Sequence, residues 1–283
     1  MKWNGFVLAA TLITAVMNLS TVSIQAAEDS VETLRAGKNF IPSKVYSEKE
    51  DLELLKQFEG LRVADVSDGM DKAGLHGIGL MDPEIMPLWK DTEHYLHRIV
   101  GIAVTARYVP TNKPPAGKMP PDEFDKWEGH FYNTYSSEPF VSLIRKGTVL
   151  VLDDAVRSDV GTIGSNNIMG WKVRGCIGVV TNASTRDSDE IITEKVPLYF
   201  RRPGRGIRPG RNEIESVNRP ISCGGVLVRP GDVIVGDGDG VIVVPREYAS
   251  DVAAYAQKVI AGDKAGRRRL YKQLGLPEDD SVK

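Results

Sequence analysis

The residues whose types and spacing could do chemistry lie between Gly164 and Asp187, in GSNNIMGWKVRGCIGVVTNASTRD. Gly164, Ser165, Asn166 and Asn167 read as a glycine-led turn opening a helix. Arg186 and Asp187 read as a pair delivered just beyond the apolar strand that begins near Cys176. A helix start presents unpaired N–H groups and the positive end of the helix dipole, which suits an anion such as a carboxylate. A guanidinium fork beside a carboxylate can grip a substrate carboxylate and hold a divalent cation. The 19 residues from Asn167 to Arg186 leave room for one helix and one strand, which brings both turns to the same edge. Taken alone, an Arg–Asp dipeptide after a strand is more often just a helix cap beside a solvated arginine.

The elements that must position these residues follow from periodicity and punctuation. TVLVLDD (148–154) and CIGVV (176–180) read as strands on either side of a helix from Gly164 to Arg174. Strand, helix and strand in this order predict a βαβ unit with parallel strands and a right-handed crossover, and ligands gather at the carboxyl ends of such strands. Upstream, Leu52, Leu54, Leu55 and Phe58 predict one short amphipathic helix starting near Ser47 or Asp51. Val63, Val66, Met70 and Ala73 predict another that ends at Gly74. RIVGIAVTARYV (98–109) is a strand stopped by Pro110. The proline-rich segment 110–135, which holds Trp127, His130, Phe131, Tyr132 and Tyr135, is either a lid or a packed surface excursion. A helix is expected from Ser137 to Arg145. DSDEIITEK reads as a short helix with acids in its first turn, followed by the strand VPLYF and an arginine-rich loop over 201–219. Strands GGVLV and VIVGDGDGVIVVP, the latter folded on a DGDG turn, a helix from Arg246 to Val259 and a charged tail at 263–283 complete the chain.

With 36 Lys+Arg against 38 Asp+Glu, the chain carries no global basic field, and nucleic acid is excluded as a default partner. Residues 1–27 pair Lys2 with an apolar run from Phe6 to Met17 and end in small residues. That pattern predicts a secretory signal cut near Ala26 or Ala27, hence a secreted or periplasmic protein with no stable membrane insertion after cleavage. An uncleaved anchor is the alternative. Residues 28–49 read as an N-terminal arm. Cys176 and Cys223 are either a disulfide or two small buried hydrophobes. His94 and His97 have HxxH spacing without a supporting carboxylate, and Asp237 with Asp239 read as turn formers. No GxGxxG joins a strand to a helix, which argues against a nucleotide cofactor.

VSDGMDKAG (66–74), GIAVTA (101–106), KGTVLVLDD (146–154), GSNN (164–167), GCIGVVTNASTRD (175–187), VPLYFR (196–201) and RPGDVIVGDGDGVIVVP (229–245) together resemble the family of 4-hydroxy-4-methyl-2-oxoglutarate aldolases and ribonuclease-activity regulator A-like proteins. The resemblance covers residues 50–262 in order, with 110–135 outside it. It implies an α/β sandwich of the swivelling phosphohistidine-domain type, a mixed sheet whose βαβ unit carries the site, and homotrimers or hexamers with sites between subunits. It also implies that Gly164, Ser165, Asn166 and Asn167 bind the carboxylate of a small 2-oxo acid. By the same resemblance Arg186 holds substrate oxygens, Asp187 anchors Mg²⁺ or Mn²⁺, and the reaction is retro-aldol release of pyruvate or decarboxylation of oxaloacetate. Two positions depart from the pattern: an acidic residue usual in the turn is Ser165, and the usual Asp-Gly before the Arg–Asp pair is Asn182-Ala183. The other branch implied is a non-catalytic, oligomeric binding or regulatory protein.

Overall fold

The computed structural model describes residues 30–154 and 159–283, so the expected signal sequence lies outside the described residues. Two compact units separate at Phe40. In the first, helix α1 (Val31–Ala36) starts at Ser30, whose hydroxyl accepts the Thr33 amide, and Val31 and Leu34 are exposed.

The second unit, Ile41–Lys283, opens with α2 (Glu48–Gln57) and α3 (Val63–Lys72). Ser47 and Glu50 close a reciprocal capping box at the start of α2, which is why that helix begins where the sequence says it should. Then follow β1 (Met86–Pro87), β2 (Ile99–Pro110) and α4 (Pro121–Thr134), and after a 3-10 turn at Pro139–Leu143, β3 (Thr148–Asp154) and β4 (Gly161–Ile163). Next come α5 (Ser165–Val173), β5 (Cys176–Thr181), β6 (Ser184–Thr185), α6 (Ser188–Thr193), β7 (Leu198–Phe200), β8 (Arg202–Pro203) and β9 (Asn212–Val217). The hairpin β10 (Ile221–Cys223) with β11 (Val226–Val228), the hairpin β12 (Val233–Asp237) with β13 (Gly240–Val244), and α7 (Ala249–Leu274) finish it.

The fold is mixed α/β. The main sheet runs β1-β7-β5-β3-β2-β12-β13, with β9 added to the far end of β2. β2, β3, β5 and β7 are parallel neighbours, whereas β12, β13, β9 and β1 join antiparallel. The two edges curl toward each other: a Cβ on Gly240 of β13 would stand 3.9 Å from the Met86 sulfur of β1. The sheet is therefore barrel-like and nearly closed. β3 is buried along its whole length, as its unbroken apolar run requires of a strand covered on both faces. Helices α2, α3 and α7 cover one flank, with Phe58, Val66, Met70, Val252 and Ala256 packed on Val233, Val235 and Ile242. A second cluster, Phe140, Leu150, Leu152, Ile163, Ile168, Trp171 and Val179, fastens α5 to β3 and β5. No helix among the described residues is long and apolar enough to cross a membrane.

Four expectations change. The expected helix over Ser137–Arg145 is only the 3-10 turn, because Pro139 and a short, branched sequence ending at Gly147 leave no room for α-helical turns. Segment 110–135 is not structureless: α4 begins at Pro121, carries Asp122 and Glu123 in its first turn, and aligns Phe124, Trp127 and Phe131 on one side. The arginine-rich stretch 201–219 contains β8 and β9 rather than a plain loop. Helix α7 also runs fifteen residues past the expected end at Val259, to Leu274. Both cysteines are free and buried.

Candidate active site

β3 and β5 are parallel neighbours, and the chain passes between them through β4 and α5. A small parallel sheet, β4-β6-β8, lies beyond their carboxyl ends. It sets the starts of α5 and α6 side by side, since Ile163 ends β4 just before α5 while its carbonyl accepts the Arg186 amide at 2.9 Å. Asn182, one of the two departures from the family pattern, is structural here. Its Oδ1 accepts the Asp154 amide (2.9 Å) and its Nδ2 donates to Asp153 (2.8 Å), so the turn after β5 is tied to the end of β3. Asp153 is buried, and that burial raises its carboxyl above the usual carboxylate range against the pull of Asn182 and Arg107.

The sequence-nominated residues come together. Gly164 occupies the N-cap of α5 and has no side chain to satisfy the first amides of the helix. Asp187 does it instead: its Oδ2 accepts from the Ser165 N–H at 3.0 Å and the Ser165 hydroxyl at 3.4 Å. A carboxylate at a helix N-terminus is favoured both by the free N–H groups and by the dipole. Asp187 reaches this position with a left-handed backbone, φ 61° and ψ 41°, at the start of α6. Aspartate is one of the few non-glycine residues that adopt that conformation at little cost. Arg186 lays its aliphatic stem over Gly161, where any Cβ would stand 2.6 Å from the arginine Cβ, and its Nε is 3.9 Å from Asp187 Oδ1.

Gly164 is buried, and three polar atoms crowd the space beside it. A Cβ placed there would lie 2.8 Å from Asp187 Oδ2, 3.5 Å from Arg186 Nε and 3.6 Å from Asn167 Oδ1. The amides of Asn166 and Asn167 follow in the same turn, where a helix has N–H groups to offer. Asn166 is exposed, Ser165 and Asn167 are half-buried, and Arg186 and Asp187 each keep 37% of their side-chain surface open. The arrangement can accept an anion on the guanidinium and the amides while presenting carboxylate oxygen to a cation.

Asp187 is alone as a metal-type carboxylate: among the described residues no group of three or more His, Cys, Asp or Glu converges. Mg²⁺ is commonly held by one or two carboxylates and completes its shell with water and substrate oxygen, so a single half-open carboxylate fits that cation. A fully protein-made cage would not fit. His94 and His97 share no helix. His97 is buried and its Nδ1 accepts the Asp91 amide at 3.0 Å, and burial lowers its basicity. Asp237 accepts the Asp239 and Val63 amides, as a turn former should.

Sequence reasoning missed Glu138, Arg208 and Tyr108. Glu138 accepts from Asn167 Nδ2 (2.6 Å), Trp171 Nε1 (3.0 Å) and Arg208 Nη2 (2.7 Å), and Arg208 Nη1 reaches the Tyr108 hydroxyl at 2.7 Å. Arg208 is 5% exposed. Its position inside an arginine-rich run concealed it, and Glu138 sits at a turn with no periodicity. The one available signal was Pro139 fixing the chain just after Glu138.

The family described as RraA-like, Aldolase/RraA, matches residues 63–243. A protein of Halalkalibacterium halodurans named "Putative 4-hydroxy-4-methyl-2-oxoglutarate aldolase" is 36% identical over 129 residues, 44% of this chain and 59% of that one. Protein DlpA of Legionella pneumophila is 28% identical over 209 residues, 70% of this chain and 28% of its own length. The matches thus span between about a quarter and three-fifths of these relatives. In three dimensions the chain is similar to Streptomyces coelicolor RraAS2, described as an unusual member of the RNase ES inhibitor RraA family. The TM-score is 0.59 and the identity 20%, over 80% of this chain and 99% of that one, and the likeness is one of fold. A family match over residues 63–243, well over half the chain, places it: the protein belongs to the RraA-like, Aldolase/RraA family.

Proposed function

We propose that the protein is a divalent-metal-dependent lyase that cleaves a C–C bond in a small 2-oxo acid, either retro-aldol cleavage of a 4-hydroxy-2-oxo acid or decarboxylation of oxaloacetate. One observation carries this reading: Arg186, Asp187 and the first turn of α5 converge beside Gly164, the N-cap of that helix. The aldolase name borne by the H. halodurans relative supports it.

Both reactions break a bond β to the ketone and leave an enolate. The amides of Asn166 and Asn167 suit the substrate carboxylate, and the Arg186 guanidinium suits the keto oxygen, where negative charge grows as the bond breaks. In the retro-aldol case the hydroxyl loses its proton and becomes a carbonyl. The pair from the broken bond moves into the enolate, which takes a proton to give pyruvate. Asp187 would hold Mg²⁺ or Mn²⁺, which when bound supplies Lewis-acid polarisation of the keto oxygen. Asp187 and Arg186 then have complementary tasks, one anchoring positive charge and the other providing it. We further propose the swivelling-type sandwich, with its βαβ unit carrying the site, a homotrimer or hexamer, and export to the periplasm or outside the cell.

Pyruvate release from 4-hydroxy-2-oxo acids or oxaloacetate should need added Mg²⁺ or Mn²⁺ and fall by ~10²-fold or more in Arg186→Ala, the scale for losing one charge-stabilising donor. Unchanged activity in that variant sinks the proposal. A second reading, a non-catalytic binding protein, is favoured by Ser165, whose two groups both occupy Asp187 Oδ2. Calorimetry separates the two, because that reading expects no Mn²⁺ binding even with pyruvate present.

A further inference from the structure

Helix α7 carries its apolar stripe beyond the body it packs on. Val252 and Ala256 are fully buried in the cluster beneath α2 and α3. Leu270 and Leu274 follow them by 18 residues each, five turns at 3.6 residues per turn, so they lie in line with the same stripe. Yet they are 55% and 70% exposed. The tail beyond the helix folds back on another row of side chains. There Lys264 donates to the main-chain oxygen of Lys283, Arg268 to the Val282 carbonyl and the Tyr271 hydroxyl to Asp279. The same stretch is basic: Arg267, Arg269 and Lys272 have no ion-pair partner among the described residues, and the Arg267 Nε is buried without a hydrogen bond. All of this lies past residue 243, where the family match ends.

At the other end of α7 lies a groove of about 420 Å³. Ile78, Leu80, Leu227 and Tyr248 are exposed along it, and of its charged groups Glu247 and Asp232 outnumber Arg229. Glu247 also has no ion-pair partner among the described residues. Tyr248 immediately precedes the helix and Leu274 ends it. About 39 Å of rigid helix, 26 residues at 1.5 Å each, therefore keeps the leucines of a chain away from the groove of the same chain. The two features nevertheless match in kind. Leucines at i and i+4 on a helix are the anchors an apolar groove receives, and a basic flank is complementary to an acidic rim. A second copy of this chain brings both together. We propose that Leu270 and Leu274 of one copy dock in the groove of the next, between Leu80, Leu227 and Tyr248, with the basic helix end against Glu247. Neither patch meets itself, so the contact is heterologous, and its repetition closes a ring where the rotation allows. The proposal rests on the homo-oligomer in the reading above and assigns its surface; the lyase chemistry is independent of it.

The test uses the full chain as Leu227→Cys, as Leu274→Cys and with both substitutions, each treated with a short bis-maleimide and read by denaturing electrophoresis. Light scattering gives the wild-type mass at the same concentration. Cys176 and Cys223 are buried and stay silent. The two new thiols of one chain are separated by the length of α7, so a cross-link in the double variant joins two chains. The double variant should give cross-linked dimers and larger species up to the wild-type oligomer, and each single variant none. Leu274→Asp changes a side chain that is open in the folded chain, and it should weaken self-association by about 10–10²-fold, the scale of one leucine no longer buried. An oligomeric wild type whose double variant stays uncross-linked overturns the inference and leaves the groove to another partner or a small apolar ligand. A cross-link in Leu274→Cys alone also overturns it, because helix would then meet helix about a two-fold axis, as does unchanged self-association in Leu274→Asp. A monomeric wild type refutes the homo-oligomer and the inference with it, while the lyase reading still stands or falls on pyruvate release.

Discussion

Gly164→Ala adds one methyl group to the face on which Asp187, Arg186 and Asn167 converge. The backbone tolerates it: Gly164 has φ −122° and ψ 168°, an extended conformation open to any residue. Replacing glycine by alanine at an N-cap costs about 0.5–1 kcal/mol of folding, and weakening the Asp187–Ser165 cap adds about one hydrogen bond to it. Within the site the effect is larger. The new Cβ would stand 2.8 Å from Asp187 Oδ2, several tenths of an ångström inside ordinary carbon–oxygen contact. The carboxylate must then retreat from the Ser165 amide it now meets at 3.0 Å, which moves the group proposed to anchor the cation. Displacements approaching 1 Å among groups that act on one bond cost on the order of 10²-fold in rate. The expected outcome is a kcat/KM for pyruvate release down by ~10²-fold with a melting temperature lowered by only a few degrees. Coupled pyruvate detection and thermal unfolding on the same preparation check it. A variant within about twofold of wild type would refute the placement of the reacting centre over Gly164.

Burial pushes the Asp232 carboxyl up to about 6, although the Arg229 and Arg246 amides bonded to it at 2.8 and 3.0 Å pull the other way. The folded protein therefore binds this proton more tightly than the unfolded chain does. Stability falls as pH rises from about 4 through about 6, and the full penalty, up to ~3 kcal/mol, persists above that window. Urea unfolding of wild type and Asp232→Asn at both ends of the window checks it, since a difference between the two that does not change with pH contradicts the assignment. The buried thiols of Cys176 and Cys223 are pushed up to about 11 and about 12 by burial, so native protein should resist alkylation near pH 8 and react only on unfolding. Rapid labelling of either thiol in the native state, counted by mass spectrometry, would contradict that.

Much of the architecture was legible because it is written in short-range chemistry. The Ser47–Glu50 box fixes the start of α2, Pro110 ends β2, and the Gly164 turn opens α5, all signals carried by neighbours in sequence. The pairing of Gly164 with Asp187 was legible for a similar reason: helix and strand lengths add up. What could not be read was everything decided at long range. Glu138 meets Asn167 across 29 positions and Arg208 across 70, and no periodicity marks a contact made by a turn residue with a loop residue. The β9 pairing with β2 was hidden because an arginine-rich composition reads as loop, although Ile214 and Val217 pack against the core beneath it. In α4 the signal was present: Phe124, Trp127 and Phe131 are at helical spacing, and the prolines ahead of them obscured it.

The indole of Trp171 donates to Oε2 of the Glu138 carboxylate, whose Oε1 accepts from Asn167 in the first turn of α5, and it is packed edge-on to Phe140 with 2% of its surface exposed. Movement of the Asn167–Glu138–Arg208 chain would alter the polar contact of this indole, one of four in the sequence, so a tryptophan-emission change lost in Trp171→Phe would report it.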